Sequence, residues 1–310
     1  MEQNFSVESL LETFRKGLKL SWVGGAKANT RAFPALDSPY DFANLVGYFN
    51  PVRMPQVAIV GDAEFSYLQT LPRGSREQLQ NRLKVLRPNC FIITDNQLVP
   101  PYLTRQTDWP LITSELTAEH VLTTLRTELP GKVCRRWVLH GSFVSVFGVG
   151  VLITGEENTG KSTLALELLE RGHRLIADDA PEFGILEHNR VVGFAPAAIK
   201  NFLSTRELGV IDVPSTYGDF AMCPEHRLDI LIRLESTDKV AKKESTLDQP
   251  QEVTILGQQF PQWTLNNSRQ RSLSVLVESC AKRISQIKSP NSAAHSLAAQ
   301  VSHTILKDFA

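Results

Sequence analysis

The chain has 310 residues, which is enough for two domains or for one large one. Its 33 Lys and Arg residues balance 33 Asp and Glu residues, so the net charge is zero, and hydrophobic residues make up 42% of the chain. This composition supports a packed core but gives no indication of nucleic-acid or membrane-surface binding. No apolar run is long enough to span a membrane, and the amphipathic N-terminus lacks the apolar core of a signal peptide.

Cysteine usage agrees with a reducing compartment. The four cysteines are far apart in the chain and form no C-x-x-C pair. We therefore expect separate, buried thiols in a cytoplasmic protein. The cysteines are Cys90, Cys134, Cys223 and Cys280.

The first half of the chain alternates predicted strands and helices, which is typical of an α/β domain. Pro130-Gly131 follows the last of these helices and is the best boundary, which predicts an N-terminal domain over 1–130 and a C-terminal domain over 131–310. Helices are predicted over 7–18, 64–71, 75–86 and 115–129, and strands over 56–61, 90–94 and 110–113.

The second half contains a strand, a glycine-rich loop and a helix in direct succession. Val149–Thr154 is apolar and β-branched, which indicates a buried strand. Thr163–Arg171 carries apolar residues at helical spacing, and Gly172 is the expected helix stop. The segment between them matches G-x-x-x-x-G-K-S, the pattern of a phosphate-binding P-loop. Its residues are Gly155, Glu156, Glu157, Asn158, Thr159, Gly160, Lys161 and Ser162.

Each part of this pattern has a role in binding a nucleotide. The glycines allow backbone N–H groups to turn towards an anion, and the helix N-terminus adds its partial positive charge. Lys161 can reach the β- and γ-phosphates, and the hydroxyl of Ser162 can ligate Mg²⁺. Asp178 and Asp179 follow the next apolar run and supply candidates for a metal ligand and a general base.

The remainder of the C-terminal half is less regular. A helix-like stretch is predicted over 198–205, strands over 229–234 and 253–256, and a helix over 273–287, with a further helix over 289–310. A lysine-rich loop with Lys239, Lys242 and Lys243 lies between the two strands and indicates a solvated segment.

The combined motifs resemble the HPr kinase/phosphorylase family. The resemblance rests on His140-Gly141, on the P-loop, and on the Arg171–Phe183 segment with its Asp178-Asp179 pair. It extends to Leu45–Phe49 and to the second family signature at Arg206–Val213, and so covers nearly the whole chain. The fold it implies is an N-terminal α/β domain plus a C-terminal kinase domain that contains the P-loop.

The resemblance implies an enzyme that uses ATP, or pyrophosphate, with Mg²⁺ to phosphorylate a serine of the phosphocarrier protein HPr. Asp179 would take the seryl proton, Asp178 would face the metal with Ser162, and His140 would stabilise the transferring group together with Lys161. It also implies the reverse reaction, in which phosphate attacks seryl-phosphate and pyrophosphate leaves. A homohexamer in the cytoplasm is implied as well. The balanced charge separately leads us to expect no nucleic-acid or membrane partner.

Several positions depart from the family pattern. Ser204 stands where the second signature usually carries a metal-binding glutamate, and Glu207 replaces a glycine. Ser245 replaces an active-site arginine, and Arg269–Ser272 replaces the Pro-Gly-Arg-Asn element tied to dephosphorylation. Glu157 adds a carboxylate to the P-loop itself, which would repel phosphates unless it points away.

Three functional interpretations follow from these residues. The leading one is an HPr kinase/phosphorylase, with the phosphorylase activity most affected by the departures. The second is a nucleotide-binding regulator of the same family whose catalysis is weakened or lost. The third is a P-loop NTPase with another substrate, which would hydrolyse ATP without HPr.

Overall fold

The computed structural model describes residues 5–25, 31–36, 42–99, 109–186, 189–235, 250–266 and 272–288. The chain divides into two units, 1–135 with 184–189, and 136–183 with 190–310. Both units combine helices with sheets, so the α/β class is confirmed. The domain boundary at Pro130-Gly131 stays a prediction, because a short helix runs across it.

The first unit is built on one five-stranded sheet. Its order is β1-β5-β4-β3-β2, with β1 antiparallel to β5 and the other neighbours parallel. The strands are β1 (Leu20–Gly24), β2 (Val46–Tyr48), β3 (Val57–Val60), β4 (Cys90–Ile93) and β5 (Leu111–Ser114). The helices are α1 (Val7–Phe14), α2 (Asp62–Thr70), α3 (Arg73–Leu86), α4 (Ala118–Glu128) and α5 (Pro130–Val133).

Strands β3 and β4 are buried along their whole length, as expected for the central strands of a mostly parallel sheet. The predicted elements of this half are present, with ends that differ by a few residues. Helix α1 is the exception, because it ends at Phe14 rather than near Leu18. Strand β1 was not predicted, because only its first residue is fully buried and its sequence has no apolar alternation.

The second unit contains a six-stranded sheet in the order β16-β17-β15-β8-β7-β9. Strands β17, β15 and β8 are parallel, while β7 and β16 run antiparallel to their neighbours. The strands are β7 (Ser142–Val146), β8 (Val149–Gly155), β9 (Arg174–Ala177), β15 (Ile230–Glu235), β16 (Gln251–Ile255) and β17 (Gln258–Asn266). Helices α6 (Lys161–Glu170) and α8 (Leu273–Lys288) contribute side chains to the core of this sheet.

A four-stranded sheet has the order β14-β11-β10-β6, and β12 and β13 form a separate hairpin. The strands are β6 (Trp137–Val138), β10 (Glu182–Leu186), β11 (Arg190–Phe194), β12 (Phe202–Thr205), β13 (Gly209–Asp212) and β14 (Glu225–Arg227). Helix α7 (Val213–Tyr217) and a 3₁₀ helix at Asp219–Ala221 follow the hairpin.

The helix predicted over 198–205 is wrong. Residues 198–201 form a turn, and β12 pairs antiparallel with β13, with Ser204 opposite Val210. Leu203 is buried in the core of the sheet, so pairing and burial outweigh local helix propensity here. The predicted helix at 289–310 and the lysine-rich loop lie outside the described residues.

All four cysteines are buried thiols that form no disulfide, as predicted. None of the helices in the described part of the chain is long and apolar enough to cross a membrane.

Candidate active site

The glycine-rich loop lies at the carboxyl end of β8, between that strand and helix α6. Gly155 has φ 149°, and a Cβ there would lie 2.6 Å from the carbonyl oxygen of Leu234 on the neighbouring strand β15. Gly160 has φ 93° and caps the helix without a side-chain hydrogen bond. Because no side chain caps this helix, the backbone N–H groups of its first turn are available to an anion. The positive φ of Gly160 favours glycine at that residue.

Lys161 folds back over this loop. Its Nζ donates to the carbonyl oxygens of Gly155 at 3.2 Å and of Glu156 at 2.9 Å. The hydroxyl of Thr159 also donates to Glu156, at 2.9 Å. These contacts hold the loop closed around the position that a phosphate group would take, with the lysine ammonium at its edge.

Asp178 follows β9 directly and is 4% exposed. Its Oδ1 accepts hydrogen bonds from the hydroxyls of Ser162 at 3.0 Å and Ser142 at 2.6 Å. Its Oδ2 accepts from the backbone N–H of Ser204 at 3.1 Å. A buried carboxylate with three protein donors is held in one orientation, beside the P-loop serine.

Asp179 differs from its neighbour in both conformation and exposure. It has φ 68°, its side chain is exposed, and its backbone oxygen accepts from the N–H of Gly141 at 3.1 Å. The left-handed conformation directs successive carboxylates to different surroundings. The Asp178 carboxylate is therefore buried beside the P-loop serine, whereas the Asp179 carboxylate is exposed to solvent.

A cavity of about 520 Å³ joins these groups. Of the predicted site residues, seven line it: Glu157, Asn158, Gly160, Lys161, Ser162, Asp178 and Asp179. Other described lining residues are Thr163, Leu164, Glu167, Ser204, Thr205, Arg206, Glu207 and Leu273. The other three P-loop residues do not line the described part of the cavity; they are Gly155, Glu156 and Thr159. Exposed His140 precedes the Gly141 contact with Asp179 but does not line the described part of the cavity.

The charge of the cavity bears on what it can bind. Its described lining carries two cationic side chains, Lys161 and Arg206, against five carboxylates, from Glu157, Glu167, Asp178, Asp179 and Glu207. A polyphosphate in such a cavity needs accompanying cations to offset repulsion from the carboxylates. No group of three or more His, Cys, Asp or Glu suited to a metal occurs in the described ranges. One carboxylate and one serine hydroxyl instead suit a Mg²⁺ ion whose other ligands include phosphate oxygens.

Three positions that depart from the family pattern line this cavity, and one of them is Glu157 of the P-loop. Ser204 lines it, with its backbone N–H on Asp178, and Glu207 lines it from the same hairpin. Ser245 and residues 269–271 are outside the described ranges, and Ser272 bonds to Ser274 at 2.8 Å.

Two contacts, one at the cavity and one between helices, were not predicted from the sequence. Ser142 begins β7 and reaches Asp178 across 36 positions of sequence.

Glu278 on α8 accepts two hydrogen bonds of 2.7 Å from Arg171, at the end of α6, and one of 3.0 Å from His173. The Arg171 guanidinium, helped by His173, lowers the pKa of Glu278 to about 2 against the opposing effect of burial. This ion pair links α8 to the C-terminal end of α6.

Strand, glycine loop, helix and the acidic pair after the next strand define a P-loop protein of the phosphotransferase kind. Comparisons with known proteins narrow this class. The family model described as the HPr serine kinase C-terminal domain matches residues 131–301, and that of the HPr serine kinase N terminus matches residues 5–129.

Individual relatives agree with the family models. The HPr kinase/phosphorylases of Burkholderia lata and Burkholderia multivorans are each 31% identical over 284 residues, which cover 90% of this chain and 88% of theirs. A solved structure of the HPr(Ser) kinase/phosphatase from Coxiella burnetii is 28% identical, with a TM-score of 0.45, and covers 55% of this chain and 98% of that one. The chain belongs to the HPr kinase/phosphorylase family.

Proposed function

We propose that this protein is a bifunctional enzyme that phosphorylates a serine of HPr with ATP and removes that phosphate by phosphorolysis. Family membership supports the reaction and the protein substrate. The observation that carries the proposal is the hydrogen bond between Ser162 of the P-loop and Asp178, since it joins the phosphate loop to the acidic pair.

The residues fit ATP and Mg²⁺. The P-loop and the free N–H groups of α6 would hold the phosphates, and Lys161 would exchange its loop carbonyls for phosphate oxygens. Ser162 and Asp178 would hold Mg²⁺, with both side chains already oriented by hydrogen bonds. When bound, the metal offsets the charge on the phosphate oxygens.

Asp179 is the proposed general base. Its exposed carboxylate would accept the proton from the serine hydroxyl of HPr as the hydroxyl oxygen bonds to the γ-phosphorus and ADP leaves. In phosphorolysis, phosphate attacks the seryl phosphorus, Asp179 returns the proton to the serine oxygen, and pyrophosphate leaves. His140 is proposed to stabilise the transferring group from its position next to Gly141, which contacts the Asp179 backbone.

A second candidate function has its own support. Ser204 and Glu207 both line the cavity, so the departures from the family pattern lie at the site itself. A serine is a weaker Mg²⁺ ligand than a carboxylate. A regulator of the same family that binds nucleotide with weakened chemistry therefore stays a candidate. We also propose a homohexamer in the cytoplasm, as the family resemblance implies.

The deciding experiment is phosphate transfer from γ-labelled ATP to purified HPr with Mg²⁺. We expect label on an HPr serine with the wild-type protein and none with Asp179→Asn, which keeps the side-chain shape but removes the base. Lys161→Ala is the binding control, and it should lose ATP affinity. If ATP binds but HPr takes no label, the regulator is the correct interpretation. Hydrolysis of ATP without HPr would instead indicate a different substrate.

A further inference from the structure

A second pocket lies in the first unit, built from parts of the chain that the proposed reaction does not use. It has a volume of about 660 Å³. Its described lining consists of Arg31, Ala32, Leu83, Lys84, Arg87, Asn89 and Trp109. Three of these side chains are cationic, and none is a carboxylate. An excess of positive charge in a concave surface attracts small anions.

Trp109 adds an independent observation. Its side chain is 2% exposed, and its indole Nε1 has no hydrogen-bond partner. It is the one buried side-chain nitrogen or oxygen in the described part of the chain that lacks a partner. A buried donor without an acceptor is destabilising, and one explanation for such a donor is that a ligand supplies the acceptor. Trp109 is also one of the residues that line the pocket, so this donor and a ligand bound there belong to the same region.

Interaction of cations with a helix C-terminus explains only part of the pocket's positive charge. Lys84 and Arg87 stand at the C-terminal end of α3, where cations interact favourably with the helix carbonyls, and Arg87 Nε donates to Lys84 O at 3.3 Å. Arg31, however, comes from a separate segment and is held by a 2.5 Å hydrogen bond to the Pro88 carbonyl. That bond brings a third cation to the same pocket.

We infer that this pocket binds a small organic anion through its phosphate or carboxylate groups. The Arg87 guanidinium offers a planar fork that matches such groups, and Arg31 and Lys84 add positive charge to the same pocket. The volume exceeds what a single inorganic ion fills and is in the range of pockets for small metabolites. The ligand's acceptor atoms would also satisfy the indole N–H of Trp109.

The test uses the full-length protein and thermal unfolding with citrate, a tricarboxylate, and with glycerol 3-phosphate, a phosphate monoester. Sodium chloride at matched ionic strength controls for screening. The pocket variant is Lys84→Gln with Arg87→Asn, because Arg87 has φ 45° and Asn tolerates that conformation. The matched control is Arg82→Gln, on an exposed position of the same helix that does not line the pocket.

We expect at least one anion to stabilise the wild-type protein and Arg82→Gln beyond the chloride control. The pocket variant should bind that anion about tenfold or more weakly, since hydrogen bonds to charged groups are removed. The P-loop is intact in all three proteins, so anion binding there contributes equally. Stabilisation by glycerol 3-phosphate alone would indicate a phosphate ligand, and stabilisation by citrate alone would indicate a carboxylate ligand. Equal stabilisation of the pocket variant and Arg82→Gln, or none beyond chloride, would overturn the inference.

A spectroscopic readout tests the role of Trp109. In protein with ¹⁵N-labelled tryptophan, the indole resonance that disappears in Trp109→Phe identifies this side chain. The anion should shift that resonance as the N–H gains an acceptor, and the pocket variant should need a higher anion concentration for the same shift. An unmoved Trp109 resonance at saturating anion would show that the indole N–H gains no acceptor and would overturn the inferred binding mode.

Discussion

The hydroxyl of Ser162 donates a 3.0 Å hydrogen bond to Oδ1 of Asp178, sixteen positions further along the chain. The bond joins the first turn of the P-loop helix to the end of the neighbouring strand β9. Because the same oxygen also accepts from Ser142, the carboxylate is oriented before any metal arrives. In the proposed reaction, this preorientation of Ser162 and Asp178 would lower the cost of binding Mg²⁺.

Ser142→Ala tests this orientation. Removing the 2.6 Å hydrogen bond should leave Asp178 less firmly held, so that Mg²⁺ affinity in the kinase assay falls by about tenfold. The measurement is kinase turnover as a function of Mg²⁺ concentration. Ser145→Ala is the control, since Ser145 is also buried on β7 but faces the opposite side of the strand. Overlapping Mg²⁺ curves for wild type and Ser142→Ala would contradict the positioning role.

Ser204→Glu should strengthen the metal site. Ser204 lines the cavity with its backbone N–H on Asp178, so a longer carboxylate there would reach the same region. We expect half-saturation at about tenfold lower Mg²⁺ and a higher kinase turnover. Ser204→Gln has nearly the same shape without the charge and serves as the control. If both variants behave alike, the missing carboxylate is not what limits the metal site.

Gly155→Ala should damage the loop through backbone geometry alone. The added Cβ would lie 2.6 Å from Leu234 O and 2.8 Å from Thr159 Oγ1, at a φ of 149°. We expect a loss of about 3 kcal/mol in the free energy of unfolding, together with loss of ATP binding. The comparison is Gly148→Ala, which has φ 75° and no atom within 4 Å, and which should cost only about 1 kcal/mol and retain ATP binding. Similar losses in both variants would argue against the close approach.

Glu278→Gln should make stability less dependent on acidic pH. The pKa of Glu278 is lowered to about 2 from its usual value of 4.5, mainly by the Arg171 guanidinium. Its contribution to folding is therefore fully present above pH 4.5 and is lost as the pH falls towards 2. The wild-type Tm should exceed that of Glu278→Gln most at pH 5–7, and the difference should shrink at pH 3. The exposed Glu252→Gln provides the control. A gap that stays constant over this range would contradict the ion-pair explanation.

Much of this fold and site was predictable because the signals are local. Three of these signals depend only on neighbours within a few residues. They are the succession of strand, loop and helix that begins with β8, the two glycines of the loop, and the apolar face of α6. The 198–205 segment shows where such reasoning fails. Its first residues favour a helix, but Phe202–Thr205 pairs with Gly209–Asp212, and the pairing decides the conformation.

The sequence by itself determined the phosphate loop, the acidic pair and the family, since these depend on residue types at fixed spacings. Only the tertiary structure decided which acid is buried and which is exposed, since Ser142 and Ser204 reach Asp178 from 36 and 26 positions away. It also decided that Glu278 fastens α8 to Arg171, and that Arg31 and Trp109 share a pocket with the end of α3. Such contacts arise when distant segments pack together, and no spacing in the chain records them.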